Sequence, residues 1–184
     1  YPLIIGGKET TTEEHLNVLD PFDNTIVGKS YLAGKDELEK AIHVAESVQR
    51  QLQKLPTHVK SNALLQISDE LHARRMELGA LLAAESGKPL KYALGEIDRA
   101  VQTFKIASEE AKRLPGEVLQ LDTTPAGENR EGIVKYFPVG LVSGIAPFNF
   151  PMNLVAHKIA PAIATACPII LKPASSTPLC ALEL

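Results

Sequence analysis

Cysteine is scarce: the 184 residues hold only Cys167 and Cys180. Two thiols are too few for a disulfide framework or a thiolate zinc site, and they point to a reducing compartment. Charge of one sign never accumulates. Nineteen Lys and Arg stand against 22 Asp and Glu, a net −3, so the basic footprint of a nucleic-acid binder is missing. No apolar stretch reaches membrane-spanning length, and the first residues lack a basic-then-apolar leader. There is no internal repeat and no low-complexity segment. Neither G-x-G-x-x-G nor G-x-x-x-x-G-K-[ST] occurs, which removes the two common phosphate loops. His15, His43, His58, His72 and His157 are scattered, with no H-E-x-x-H, which argues against a zinc hydrolase. These absences leave a soluble, cytoplasmic chain with no metal, no nucleic acid and no membrane among its expected partners.

What is present is ordinary globular composition, 45% apolar and 22% charged, with length for one domain or one and part of another. Such a chain can bury roughly 70% of its unfolded surface. It opens on Tyr1-Pro2 without an initiating Met. It stops at Leu184, soon after Thr177 could cap and Pro178 could begin a helix. The expectation is the front part of a longer protein.

Leu3-Ile4-Ile5 reads as a strand, Asp20 to Asn24 as a turn, and Thr25-Ile26-Val27 as a second short strand. Leu38, Ile42, Ala45, Val48 and Leu52 recur at helical spacing, so Asp36 to Leu52 is an amphipathic helix. A second helical stretch begins at Pro56-Thr57, carries Leu64, Ile67, Leu71, Leu78 and Leu82 as candidate core, and ends at Gly87-Lys88-Pro89. A third helix runs from Pro89 to Leu114. Its nearly heptad stripe (Leu90, Leu94, Ile97, Val101, Phe104, Ala111, with Ser108 in the missing place) is either a core-facing stripe or a seam joining two chains. Between Gly116 and Pro138, Val118-Leu119 to Leu121 and Ile133-Val134 to Tyr136 form two strands around a polar excursion, antiparallel and partly exposed. Val139 to Ala146 is a near-continuous apolar run, as in a strand buried on both faces. Asn153 to Ala166 is helical, with Pro161 expected to kink it, and Pro168 to Leu171 is a further buried strand. Strand, crossover helix and strand make a parallel βαβ unit.

Ligands of open α/β sheets sit beyond the carboxyl ends of the strands. Here those ends are Ala146-Pro147-Phe148-Asn149-Phe150-Pro151 and Lys172-Pro173-Ala174-Ser175. An amide and an ammonium at adjacent strand ends would face one crevice, with Lys172 able to hold a phosphate or ribose oxygen. The plainer alternatives are a turn asparagine bonding its own backbone and a solvated strand-end lysine. Neither cysteine has an activating base or cation nearby in sequence, so both read as inert buried thiols.

Taken together, these segments resemble the amino-terminal part of the aldehyde dehydrogenase superfamily. Ile5-Gly6-Gly7, Asp20-Pro21, Glu85-Ser86-Gly87-Lys88-Pro89 and Gly95-Glu96-Ile97 come first. Pro138-Val139-Gly140-Leu141-Val142 through Pro147-Phe148-Asn149-Phe150-Pro151 is the strongest match. Lys158-Ile159-Ala160-Pro161-Ala162, Leu171-Lys172-Pro173 and Thr177-Pro178 complete the series. The resemblance runs end to end and covers about the first two-fifths of such a protein.

It implies an α/β fold in which helices and an oligomerisation hairpin precede the start of a Rossmann-type parallel sheet. Residues 1–115 would supply the amino-terminal strands and helices of the NAD(P)-binding domain, 116–138 the hairpin and 139–184 the first βαβ unit. It implies oxidation of a small aldehyde to an acid with NADP or NAD, in a homodimer or homotetramer. A thiolate attacks the aldehyde, hydride passes to the nicotinamide, and a glutamate-activated water releases the acid. The cysteine and glutamate lie downstream of the matched stretch, so these 184 residues alone are expected to be inactive. Asn149 takes the role of oxyanion donor, and Ile145, Ala146, Pro147, Phe148, Asn149, Lys172, Ala174 and Ser175 fall at the cofactor. Three positions depart from the family: Phe148 where Trp is frequent, Ala166 where Gly is common, and Ser175 where Glu often binds the ribose. Losing that carboxylate beside Lys172 favours NADP over NAD. Phe148 and the run from Leu154 to Lys158 look most similar to the branch acting on lactaldehyde, glyceraldehyde 3-phosphate and phosphonoacetaldehyde-like substrates. Two alternatives stand beside this reading: an acylating or acyl-phosphate-reducing relative, and a non-enzymatic helical interaction module.

Overall fold

The computed structural model describes residues 1–184. Its elements, in chain order, are strands β1 (Leu3–Ile5), β2 (Lys8–Thr10), β3 (His15–Leu19) and β4 (Ile26–Tyr31), then helices α1 (Lys35–Gln53), α2 (Thr57–Ala73), α3 (Arg75–Ser86) and α4 (Leu90–Glu110). Strands β5 (Gly116–Gln120) and β6 (Glu131–Lys135) follow, then β7 (Val142–Ile145), α5 (Asn153–Ala164), β8 (Ile169–Lys172) and α6 (Leu179–Glu183). The strands form four pairs; β1–β2, β3–β4 and β5–β6 are antiparallel, and β7–β8 is parallel. The parallel βαβ unit is therefore present. No helix is long and apolar enough to cross a membrane.

One apolar core joins the helices. Leu64 and Leu71 of α2, Leu78 and Leu82 of α3, Ile97, Val101 and Phe104 of α4, and Ala156 and Ala160 of α5 all lie inside it. Ser108, which interrupts the apolar stripe of α4, meets Ser61 of α2 at 3.1 Å between hydroxyls and so satisfies both buried groups. The α4 stripe thus packs within its own chain, and the interaction-module alternative loses its motive. Lys60 spans from α2 to α5, where its ammonium donates to the carbonyl of Ala164 at 3.1 Å. A cation at a helix carboxyl end is favoured by the helix dipole.

Several expectations need correction. The second helical stretch is two helices broken at Arg74, whose guanidinium donates to Glu77 and Glu183. Its heptad-spaced leucines run straight across the break, which has neither glycine nor proline to mark it. The stretch does stop at Gly87, whose φ of +66° takes the left-handed turn that glycine permits. Val139 to Ala146 is not a strand buried on both faces: β7 is four residues long, and Val139 and Ile145 stand exposed. On β7 the alternate residues Ser143 and Ile145 are exposed, while Gly144 between them is buried. Helix α1 buries none of its apolar stripe completely. Helix α5 contains Pro161 and ends at Ala164, two residues before the expected Ala166. Strands β2 and β3 lie outside the sequence expectation, because short polar-rich strands carry almost no periodic signal. Thr177 caps nothing, and its buried hydroxyl has no partner.

Candidate functional site

The parallel register pairs Ile145 with Lys172, and the amide of Ala146 donates to the Lys172 carbonyl at 3.0 Å. The two strand-end loops thereby leave the sheet side by side. Pro147, Phe148, Asn149, Lys172 and Ser175 are exposed, Ala174 is half-buried and Ala146 is buried. The structure brings Phe148 and Ser175 to one hollow of about 370 Å³, which Val18, Glu85 and Thr177 also line. Lys172 points its ammonium at the carbonyl of Pro173, 3.2 Å away, and forms no ion pair with a carboxylate. From Leu171 to Cys180 the chain carries hydroxyls and one cation but no acid. That donor set fits the ribose and phosphate oxygens of a dinucleotide.

Asn149 sits at the turn between β7 and α5, and its position is set by a buried frame. The carboxylate of Glu96, 2% exposed on the core face of α4, accepts the amides of Met152 and Asn153 at 3.0 and 3.1 Å through one oxygen. Those amides belong to the first turn of α5, where unpaired N–H groups and the helix dipole favour an anion. The other oxygen takes the ammonium of Lys88 at 2.5 Å. Lys88 also donates to the main-chain carbonyl of Asn149 at 3.1 Å. Its ammonium lies 4.6 Å from the centre of the Phe150 ring, and the Arg99 guanidinium lies 5.4 Å from the same ring. One carboxylate and one ammonium therefore fix the carbonyl of residue 149, the ring of residue 150 and the amides of residues 152 and 153. The Asn149 side-chain amide is left exposed, bonded to no group of the chain, so the self-bonded turn asparagine is not what forms.

A second buried glutamate does the same for α6. Glu85, 1% exposed, accepts the amides of Leu179 and Cys180 at 2.7 and 3.0 Å. It has no cationic partner, and burial pushes its carboxyl above the usual range against the pull of those two amides. The Cys180 thiol is pushed strongly upward by burial and by the nearby Glu85. Cys167 is buried at the end of the α5–β8 connection. Neither thiol is placed as a nucleophile.

The roles of Glu85, Lys88 and Glu96 lie outside the sequence expectation. The missed signal is placement. Glu96 falls between Ala93, Ile97 and Ala100 on the apolar face of α4, where an ionised side chain needs a partner.

Comparison with known proteins matches the aldehyde dehydrogenase family to residues 8–184. The 3-sulfolactaldehyde dehydrogenase of Priestia megaterium is 37% identical over 184 residues, all of this chain and 38% of that protein. The lactaldehyde dehydrogenase of Methanocaldococcus jannaschii is 37% identical over 182 residues, 99% of this chain and 38% of its own length. Among solved structures, aldehyde dehydrogenase 21 of Physcomitrella patens, in complex with the reaction product succinate, superposes with a TM-score of 0.97 at 39% identity, covering 100% of this chain and 38% of that one. The NADP-dependent glyceraldehyde-3-phosphate dehydrogenase of Bacillus halodurans, complexed with NADP, gives 0.95 at 31% identity over 99% of this chain and 39% of its own. The chain spans about two-fifths of the length of the relatives it matches (38%). With its parallel βαβ unit, its framed asparagine turn and a family match over residues 8–184, the chain belongs to the aldehyde dehydrogenase family.

Proposed function

We propose that the full-length protein carrying this segment oxidises an aldehyde with NADP or NAD, and that Asn149 donates its side-chain amide to the oxyanion formed at the aldehyde carbon. The observation that carries this reading is the Asn149 turn: its carbonyl is tied to Lys88 while its side-chain amide stays free. A neutral N–H held rigidly where negative charge develops stabilises the transition state without costly reorganisation, by about 3 kcal/mol. The nucleotide, when bound, supplies the nicotinamide that accepts hydride. Ile145, Ala146, Pro147 and Phe148 offer backbone and an exposed ring beside it, Lys172 offers a cation, and Ala174 and Ser175 close the second loop. Absence of a carboxylate beside Lys172 favours NADP, whose 2′-phosphate an acid would repel. The attacking thiolate comes from outside these residues, since Cys167 and Cys180 are buried.

The β5–β6 hairpin is the candidate oligomerisation element. Every residue of β5 is exposed, and Val118 and Ile133 present apolar side chains outward. Two such hairpins could cover one another's apolar side.

The test is aldehyde-dependent reduction of NADP and NAD by the full-length protein and its Asn149→Ala variant. The expected result is a fall in kcat of about a hundredfold with little change in cofactor affinity. Ser175→Glu should shift preference toward NAD. An Asn149→Ala enzyme with wild-type kcat contradicts the assignment.

A further inference from the structure

Ala174 and Ser175 lie in the loop from Pro173 to Pro178, which joins β8 to α6. The hydrogen bonds that tie this stretch to other elements lie at its two ends. Just before it, the amide of Ala146 donates to the Lys172 carbonyl at 3.0 Å. Inside it, the Thr177 amide donates to the Ala174 carbonyl at 3.2 Å, which bends the loop on itself and anchors it to nothing else. The chain then passes from exposed at Ser175 and Ser176 to buried at Thr177. Beyond it, the first turn of α6 needs acceptors for its unpaired amides. No side chain of the loop supplies one: Pro178 stands at the cap position, and the buried Thr177 hydroxyl has no partner. The acceptors come from α3 instead. There the two oxygens of Glu85, 94 and 95 positions earlier, take the amides of Leu179 and Cys180 at 2.7 and 3.0 Å. Glu85 shares its face of α3 with the fully buried Leu78 and Leu82, so the helical core sets its place and the loop does not. The Cys180 thiol reinforces the contact through the Leu78 carbonyl at 3.5 Å.

We propose that Glu85 is a positioning residue for the nucleotide. By fixing where α6 begins, it holds Ala174 and Ser175 in the shape that receives ribose and phosphate oxygens. It thereby sets cofactor affinity and takes no part in hydride transfer. The proposal rests on the cofactor reading of Lys172, Ala174 and Ser175 given above, and adds the group that holds them. The tether is short: only Ser176, Thr177 and Pro178 separate Ser175 from the first amide that Glu85 binds. Glu85 also lines the hollow that Phe148 and Ser175 enter from the two strand-end loops. A loop released to sample other shapes raises the apparent dissociation constant by the inverse of its competent fraction, whatever chemistry follows.

Calorimetric titration of the full-length protein with NADP, together with kcat at saturating NADP, tests this. Glu85→Gln keeps one acceptor oxygen and Glu85→Ala keeps none. The dissociation constant should rise about threefold in the first and about tenfold in the second, with kcat within about twofold of wild type. Wild-type affinity in both variants overturns the proposal. So does a fall in kcat as large as the loss of affinity, the mark of a merely structural role. Amide hydrogen exchange supplies a readout that needs no cofactor. Residues 174–180 should exchange faster in Glu85→Gln than in wild type, with residues 148–153 unchanged. Equal exchange over 174–180 overturns the proposal even where Glu85→Ala does not fold. If wild type binds neither NADP nor NAD, the cofactor reading fails and this proposal with it; if all three proteins bind NADP equally, this proposal alone fails.

Discussion

Glu96 and Glu85 stand at equivalent places with unequal partners. Each is a carboxylate almost wholly removed from water, each caps the first turn of a helix that follows a strand of the βαβ unit, and each binds two backbone amides. Glu96 adds the ammonium of Lys88 at 2.5 Å, which goes on to hold the Asn149 carbonyl. Glu85 has no ammonium or guanidinium partner, and its burial favours the neutral acid. A buried carboxylate without a counter-ion keeps most of its desolvation cost, whereas a paired one exchanges that cost for geometry. The difference teaches where rigidity is concentrated: the paired carboxylate lies beneath the turn that carries the candidate oxyanion donor, and the unpaired one lies beneath α6.

The largest effect expected from this contrast is on stability. In the full-length protein, Glu96→Ala strands Lys88 and two helix amides and should cost about 3–5 kcal/mol. Glu85→Ala strands amides only and should cost about 1–3 kcal/mol. Urea midpoints at pH 7 compare them, and the reverse order breaks the comparison.

A smaller effect is one of pH. Because the folded pKa of Glu85 lies above the usual 4.5, its contribution is complete below that value and is lost as pH rises through the folded one. Thermal unfolding across this range should show wild type losing stability relative to Glu85→Gln, whose amide does not titrate. Parallel curves would show that the two amides outweigh burial.

The smallest expected effect lies away from both carboxylates. Ala166 adopts a φ of +57°, a left-handed conformation strained for any side chain. Ala166→Gly should stabilise by about 0.5–1 kcal/mol, the relief of strain being partly offset by a more flexible unfolded chain.

Legibility in the sequence followed the reach of each signal. Helices α1 and α4 and the β5–β6 hairpin were readable from periodicity and turn residues, as was the strand–helix–strand order at the end of the chain. Asn149, Lys172 and Ser175 were readable as strand-end chemistry, because a change of residue type where an apolar run stops is a local signal. The break at Arg74 was not readable, since Leu64, Leu71 and Leu78 keep their spacing across it. The exposed outer side of β7 was not readable either, because apolar composition states what a strand can bury and not what covers it. The framing roles of Glu85, Lys88 and Glu96 depend on contacts across 56 to 95 positions of chain, and no local pattern carries those.

The central claim is that the Lys88–Glu96 pair acts through Asn149, and a double-mutant cycle tests it most directly. The kcat of the full-length enzyme is measured per folded site for wild type, Asn149→Ala, Lys88→Met and the double variant. If Lys88 fixes the turn from which the Asn149 amide donates, Lys88→Met should slow the enzyme strongly when that amide is present and little when it is absent, a coupling of at least about 1 kcal/mol. Fully additive losses would contradict the account.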